Sequence, residues 1–174
     1  RPVPPSGLIR RVEEVGTPEG PVTVHVYRKD ERPKQPALLW IHGGGYVMGA
    51  ADDERSMTIA HACDVTVFSV DYRLAPEQPF PAGLNDCYNV LSWIMQEADS
   101  LGIDPSCVAI GGASAGGGLA AGLALKNREA ANYPLRLQLL IYPMLDNLHA
   151  TDSGQIENHP IWTRDASFSA WEMY

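Results

Sequence analysis

The stretch Gly112-Ala-Ser-Ala-Gly116 has the form G-x-S-x-G and lies between a predicted strand, Val108–Gly111, and a predicted helix, Ala115–Asn127. A serine that is lifted out of a sheet as a nucleophile must lie on a sharp turn, where side chains two residues to either side would collide. Glycine at both places removes the collision, and the N-terminus of the following helix favours negative charge developing at the serine. The pattern predicts that Ser114 is a nucleophile. The alternative is a serine that only caps the helix.

A second glycine-rich turn, His42-Gly43-Gly44-Gly45, follows the apolar run Ala37-Leu-Leu-Trp-Ile41. Such a run is typical of a strand buried on both faces of a sheet. Three consecutive glycines leave backbone N–H groups unobstructed and permit conformations that are closed to other residues. N–H groups of this kind form oxyanion holes. Alone, the turn fits a flexible loop equally well; together with the serine turn, it indicates an oxyanion hole.

Strands and helices alternate along the chain, which predicts the α/β class with a mostly parallel central sheet and helices on both faces. No internal repeat or domain boundary is visible, so residues 1–174 are expected to form a single domain. The further predicted strands are Ile9–Val15, Val22–Tyr27, Val65–Val70 and Leu137–Tyr142, and the further helices are Asp53–Cys63 and a segment from Leu84 to near Gly102.

Composition excludes several function classes. The chain of 174 residues carries 13 Lys and Arg against 21 Asp and Glu, a net charge of −8, which argues against a nucleic acid as partner. Three widely spaced cysteines, Cys63, Cys87 and Cys107, form neither a disulfide framework nor a zinc pattern. A reduced, cytoplasmic protein without a bound metal is therefore expected.

One uncharged window, Pro105–Leu125, has the length of a membrane span. The part from Val108 to Leu125 contains six glycines, however. We therefore interpret the window as a buried strand, turn and helix, and expect no membrane span.

Four motifs occur in a recognisable order: His42–Gly45, Asp71-Tyr-Arg-Leu-Ala-Pro-Glu77, the Gly112–Gly118 turn and Tyr142-Pro-Met-Leu-Asp146. In this order they resemble the bacterial hormone-sensitive-lipase-like esterases, α/β-hydrolases of the HGGG carboxylesterase group. The resemblance implies an α/β-hydrolase fold and a serine carboxylesterase that acts on small acyl esters with short chains, through an acyl-enzyme and without a cofactor.

The resemblance also implies residue roles. Ser114 would be the nucleophile. The oxyanion N–H groups would belong to Gly44, Gly45 and Ala115. The residues that shape these turns or are otherwise structural would be His42, Gly43, Gly112, Gly116 and Asp71. The aromatic residues assigned to the substrate pocket are Tyr46, Trp171 and Tyr174.

The catalytic acid and histidine have no counterpart in the chain. The resemblance places them in the order Ser…Asp/Glu…His, many tens of residues beyond Tyr174. Neither His149 nor His159 is assigned as the base, and Asp146 is predicted to cap the end of the preceding strand. This chain alone is therefore expected to be inactive.

The chain starts without Met and stops without a helix-stop signal, so we expect both ends to be cut. The last strands and part of a cap would then be missing, with residues 147–174 forming the start of the cap. An unpaired sheet edge would favour homo-oligomers.

Two other functions compete with the esterase. The first is a non-catalytic, truncated α/β-hydrolase that acts as a binding or interaction module. The second is a dinucleotide-binding domain, with Gly111–Gly118 as the phosphate turn. That motif needs an acidic residue at the end of the next strand, but Glu129 falls near a helix end and the His42–Gly45 turn would be unexplained. The dinucleotide hypothesis is therefore disfavoured.

Overall fold

The computed structural model describes residues 5–131 and 133–174. In these residues one six-stranded sheet runs through the molecule in the order β1-β2-β4-β3-β5-β6. The strands are β1 (Ile9–Val15), β2 (Val22–Arg28), β3 (Gln35–Ile41), β4 (Thr66–Val70), β5 (Ile103–Ala113) and β6 (Leu137–Ile141). The helices are α1 (Glu54–Cys63), α2 (Ala82–Gln96), α3 (Ala98–Leu101), α4 (Ala115–Glu129) and α5 (Arg164–Met173), with a short 3₁₀ turn at Asp152–Gln155.

The sheet is mostly parallel, as predicted. β4, β3, β5 and β6 are parallel to one another, whereas β2 pairs antiparallel with both β4 and β1 at the edge of the sheet. Parallel strands are normally covered by helices on both faces, and the packing around β3 agrees. Leu39 and Ile41 belong to the apolar cluster that contains the buried residues of α2 and α4. Leu38 and Trp40 belong to the cluster on the other face, with Met57 and Ala60 of α1.

The pairing of β3 with β5 positions the two glycine-rich turns. The strands are parallel neighbours, and Ile41 lies opposite Gly112 in their register. The carboxyl ends of parallel strands meet at one edge of the sheet, where α/β proteins bind their ligands. The turn that follows β3 and the turn that follows β5 therefore lie side by side.

Three elements differ from the predictions. β5 begins at Ile103, five residues before the predicted strand, and its pairing with β3 shifts register between Gln35 and Ala37. The predicted single helix is divided into α2 and α3, and it ends at Gly102 in a left-handed conformation. α5 lies in the stretch after Asp146, where no helix was predicted because the sequence of that stretch is less regular.

The uncharged window forms β5, the serine turn and most of α4, so its interpretation as a buried strand, turn and helix is confirmed. Over the described ranges, no helix combines the length and apolarity that crossing a bilayer requires. The cytoplasmic location and the lack of a nucleic-acid partner stay predictions.

Candidate active site

Ser114 lies on a strained turn between β5 and α4. Its φ is 56° and its ψ is −121°, a left-handed region that a residue with a side chain rarely adopts. The backbone N–H of Ser114 donates to the carbonyl of Ile141 at 2.9 Å. Its side chain makes no capping bond to α4, so the alternative of a serine that only caps the helix is not supported.

Gly112 and Gly116 let this turn approach the end of β3. A Cβ at Gly116 would overlap the backbone carbonyls of Ile41 and His42. A Cβ at Gly112 would overlap the carbonyl of Gly116 and lie 2.6 Å from that of Ile41. The predicted collision is thus present, and it involves the neighbouring strand as well as the turn itself.

The glycine turn after β3 packs directly on the serine turn. A Cβ at Gly43 would lie 2.9 Å from the carbonyl oxygen of Ala113 and 3.3 Å from Cβ of Ser114. Gly44 and Gly45 have φ values of 119° and 60°. Within the described ranges, the N–H groups of Gly44, Gly45 and Ala115 donate no hydrogen bond. Three free donors therefore lie near Ser114.

The buried side chain of His42 forms a hydrogen bond with the glycine turn. Its Nδ1 is 2.7 Å from the Gly43 carbonyl, which can only accept, so this nitrogen carries the proton. The ring stacks on Tyr72 with centroids 4.3 Å apart. Burial lowers the pKa of His42 and outweighs the Gly43 carbonyl, which raises it. A neutral, buried imidazole without a hydrogen bond to Ser114 fits the structural role implied for His42.

Asp71 and its neighbours hold the loops around the site. The Asp71 carboxylate accepts from the N–H of Ala51 at 3.0 Å, which ties the end of β4 to the loop after the glycine turn. Arg73 donates from Nη2 to Asp86 of α2 at 2.8 Å, and its backbone N–H donates to the same carboxylate. This ion pair, whose Asp86 side chain is fully buried, raises the pKa of Arg73.

Ser114 lies where two clefts meet. One has a volume of about 340 Å³ and is bordered by the loop from Tyr142 to Asp146. The other has a volume of about 680 Å³ and is bordered by the glycine turn. Tyr142 and Trp162 line both clefts. Sequence analysis did not assign these two rings to the site, although the position of Tyr142 directly after β6 was a usable signal.

The three aromatic residues predicted for the substrate pocket pack on one another. Tyr46 stacks on Tyr174 with centroids 3.9 Å apart and lies 5.2 Å from Trp171. Its hydroxyl donates to the Met144 carbonyl at 2.8 Å, and burial raises the pKa of Tyr174 to about 12. These rings line neither cleft at Ser114. Their assignment to the substrate pocket stays a prediction.

No base for Ser114 is found in the part of the chain that the structure describes. His149 Nε2 is 2.7 Å from the hydroxyl of Ser167. His159 Nδ1 accepts the N–H groups of Ile161 and Trp162. The carboxylate of Asp146 accepts the N–H groups of Ala150 and Leu148, which lower its pKa. Asp146 thus caps the turn after β6, and neither histidine reaches Ser114.

The described residues contain no group of three or more His, Cys, Asp or Glu side chains that would hold a metal ion. The expected absence of a metal and of a cofactor stays a prediction.

Comparisons with known proteins agree with this fold. A family model described as alpha/beta hydrolase fold matches residues 38–174. Carboxylesterase NlhH of Mycobacterium tuberculosis is 40% identical over 145 residues, which are 80% of this chain and 46% of that protein. Arylacetamide deacetylase of Rattus norvegicus is 35% identical over 164 residues, which are 88% of this chain and 41% of that protein.

Solved structures give the same result. A bacterial heroin esterase superimposes with a TM-score of 0.93 at 39% identity, covering 97% of this chain and 55% of that one. An esterase of the archaeon Pyrobaculum calidifontis superimposes with a TM-score of 0.90 at 32% identity, covering 95% of this chain and 56% of that one. The predicted fold is confirmed, and the chain spans about half the length of the relatives it matches.

Proposed function

Because this chain belongs to the α/β-hydrolase family, among the hormone-sensitive-lipase-like carboxylesterases, we propose that Ser114 is the nucleophile of a serine carboxylesterase for short-chain acyl esters. One observation carries the proposal. Ser114 is held at φ 56° at the meeting point of two clefts, next to three unpaired backbone N–H groups. Strain of this kind is kept where it serves a function.

The first half of the reaction forms an acyl-enzyme. Ser114 Oγ attacks the carbonyl carbon of the ester and loses its proton, and the carbonyl oxygen becomes an oxyanion. The N–H groups of Gly44, Gly45 and Ala115 would hold that oxyanion. Loss of one such donor costs about 2.7–4 kcal/mol of barrier in other enzymes. The bond between the carbonyl carbon and the alkoxy oxygen then breaks, and the alcohol leaves with the proton that Ser114 lost.

The second half of the reaction returns the free serine. Water attacks the acyl carbon and loses a proton, and the same N–H groups hold the second oxyanion. The bond between the acyl carbon and Ser114 Oγ then breaks, the acid leaves, and Oγ takes up that proton. Ala115 is the first residue of α4, and the N-terminus of this fifteen-residue helix favours both oxyanions. The proposal assigns no base or acid to a residue of this chain, since no described imidazole reaches Ser114.

A second candidate function is the binding module that competes with the esterase in the sequence analysis. Without a base, the clefts would bind an ester or a related small molecule but would not cleave it efficiently. The chain would then be a non-catalytic binding module built on the hydrolase fold. Hydrolysis that depends on Ser114 separates the two candidates.

The test is Ser114→Ala in the natural protein that carries these 174 residues, assayed with p-nitrophenyl acetate. We expect kcat to fall by about 10⁴-fold or more, as in other serine hydrolases that lose the nucleophile. Ser100→Ala, at an exposed position of α3, is the matched control and should keep the wild-type rate. Equal rates in Ser114→Ala and wild type would contradict the proposal. Ester binding without any hydrolysis by the wild type would favour the binding module.

A further inference from the structure

The indole of Trp162 lies directly on the glycine turn. A Cβ at Gly45 would overlap Cη2 of this ring and lie 3.1 and 3.2 Å from Cζ2 and Cζ3. Trp162 also lines both clefts that meet at Ser114. The ring therefore borders the place where the two clefts join, beside a residue whose N–H is a proposed oxyanion donor.

Hydrogen bonds on both sides of Trp162 fix this position. On the N-terminal side, His159 Nδ1 accepts the N–H of Ile161 at 3.2 Å and that of Trp162 at 3.3 Å, in the manner of a side chain that closes a turn. On the C-terminal side, the hydroxyl of Thr163 accepts the N–H of Ala166 and caps α5. The side chain of Ile161, the residue before Trp162, is 86% exposed. The turn therefore directs Trp162 rather than Ile161 toward Gly45.

We propose that Trp162 determines the specificity of the site by excluding acyl groups that are branched at the carbon next to the ester carbonyl. The inference rests on the proposed function. An oxyanion held by the Gly44 and Gly45 N–H groups places the reacting carbon within a few ångströms of the indole. Branches on the adjacent carbon would add bulk beside the ring, whereas an unbranched chain has only a CH₂ group at that carbon.

The experiment compares kcat/KM of p-nitrophenyl pivalate, butanoate and acetate in wild type and Trp162→Ala. We expect the pivalate-to-acetate ratio to rise by about tenfold or more, the size of effect that a few carbon atoms have in a pocket. The butanoate-to-acetate ratio should change by less than about twofold, because a linear chain adds no branch beside the ring. If the alanine variant does not fold, the same ratios are measured in Trp162→Leu.

Three further variants distinguish a specific role of Trp162 from a general loosening of the segment around it. Ile156→Ala removes an exposed apolar side chain of the same segment that lines neither cleft at Ser114, and both ratios should keep their wild-type values. His159→Ala should raise the pivalate ratio as Trp162→Ala does. His159→Asn should restore the wild-type ratio, since an asparagine oxygen accepts the same two N–H groups.

The outcomes distinguish the two proposals. Hydrolysis that requires Ser114, with a pivalate ratio that Trp162→Ala leaves unchanged, overturns the inference about Trp162 and leaves the esterase intact. A wild type without any hydrolysis that depends on Ser114 overturns both.

Discussion

Ile41 and Gly112 lie opposite each other in the parallel strands β3 and β5, and the carbonyl of Ile41 also packs against Gly116. This relationship places the glycine turn and Ser114 next to each other, although about seventy residues separate them in the sequence. The site therefore depends on close backbone contact at the ends of two strands, which only glycine permits.

Gly116→Ala should destabilise the protein. The new Cβ would overlap the Ile41 carbonyl, and backbone that must shift to relieve overpacking typically costs about 1–3 kcal/mol. Gly122→Ala in the same helix is the matched control, because its Cβ would lie 3.5 Å from Leu84 Cδ1, an ordinary contact. Alanine there should raise the free energy of unfolding by about 0.5–1 kcal/mol. Urea denaturation measures both; a Gly116→Ala variant as stable as wild type would contradict the packing argument.

The low pKa of His42 should make stability depend on pH. Burial lowers the folded-state pKa, so the unfolded chain binds a proton at an ordinary pKa of about 6.5 that the folded chain takes up only at lower pH. The neutral imidazole of His42 therefore makes its full contribution to the free energy of unfolding above about pH 6.5. That contribution is lost as the pH falls toward the folded-state pKa.

His42→Asn tests this, since asparagine keeps a donor for the Gly43 carbonyl but does not titrate. Between about pH 7 and pH 5, the variant should lose less stability than the wild type. Parallel stability curves for the two proteins would show that His42 does not cause the pH dependence.

Arg73 should be essential for stability because it neutralises a buried carboxylate. Arg73→Ala leaves Asp86, which is fully buried, without its ion-pair partner, and removing one member of a buried pair costs about 3–5 kcal/mol. Arg128→Ala is the control: Arg128 pairs with Glu129 at 3.8 Å, and both side chains are mostly exposed. Chemical denaturation should place Arg128→Ala close to wild type; a similarly small effect of Arg73→Ala would be inconsistent with this account.

Because Gly45 contacts Trp162, we predict that mutations at these two positions have non-additive effects on stability. Gly45→Ala should destabilise the protein both through overlap with the indole and through its φ of 60°. In the Trp162→Ala background the overlap is gone, so the cost should fall by about 1 kcal/mol, within the usual range for residues in contact. The cost of Gly49→Ala, whose Cβ would overlap His42 instead, should be the same in both backgrounds. Equal costs of Gly45→Ala in the two backgrounds would mean that the contact is absent.

Much of the sheet could be predicted from local sequence. The alternating valines of β2 and the apolar run of β3 have the periods of a half-buried and a fully buried strand. The glycine pattern around Ser114 predicts a strand-turn-helix junction, because the side chains that would collide in that turn are only two residues from the serine. The order of the strands, with β4 between β2 and β3, depends on pairing between distant segments and could not be read from the sequence.

The side chains that line the two clefts at Ser114 were harder to predict from the sequence than the two glycine-rich turns. Trp162 reaches Gly45 from more than a hundred residues away in sequence, and no local pattern reports such a contact. Tyr46, Trp171 and Tyr174 were assigned to the substrate pocket by resemblance alone, and in the structure they pack on one another. Aromatic character alone does not separate a ring that lines a cleft from one that fills the core.

The central claim is that Ser114 is a nucleophile, and covalent labelling tests it most directly. The natural protein is incubated with a fluorophosphonate, and the modified peptide is identified by mass spectrometry. We predict a single phosphonyl adduct on Ser114 that is lost in Ser114→Ala. An unlabelled Ser114 in a protein that hydrolyses esters, or an adduct on Ser167, whose hydroxyl lies 2.7 Å from His149, would contradict it.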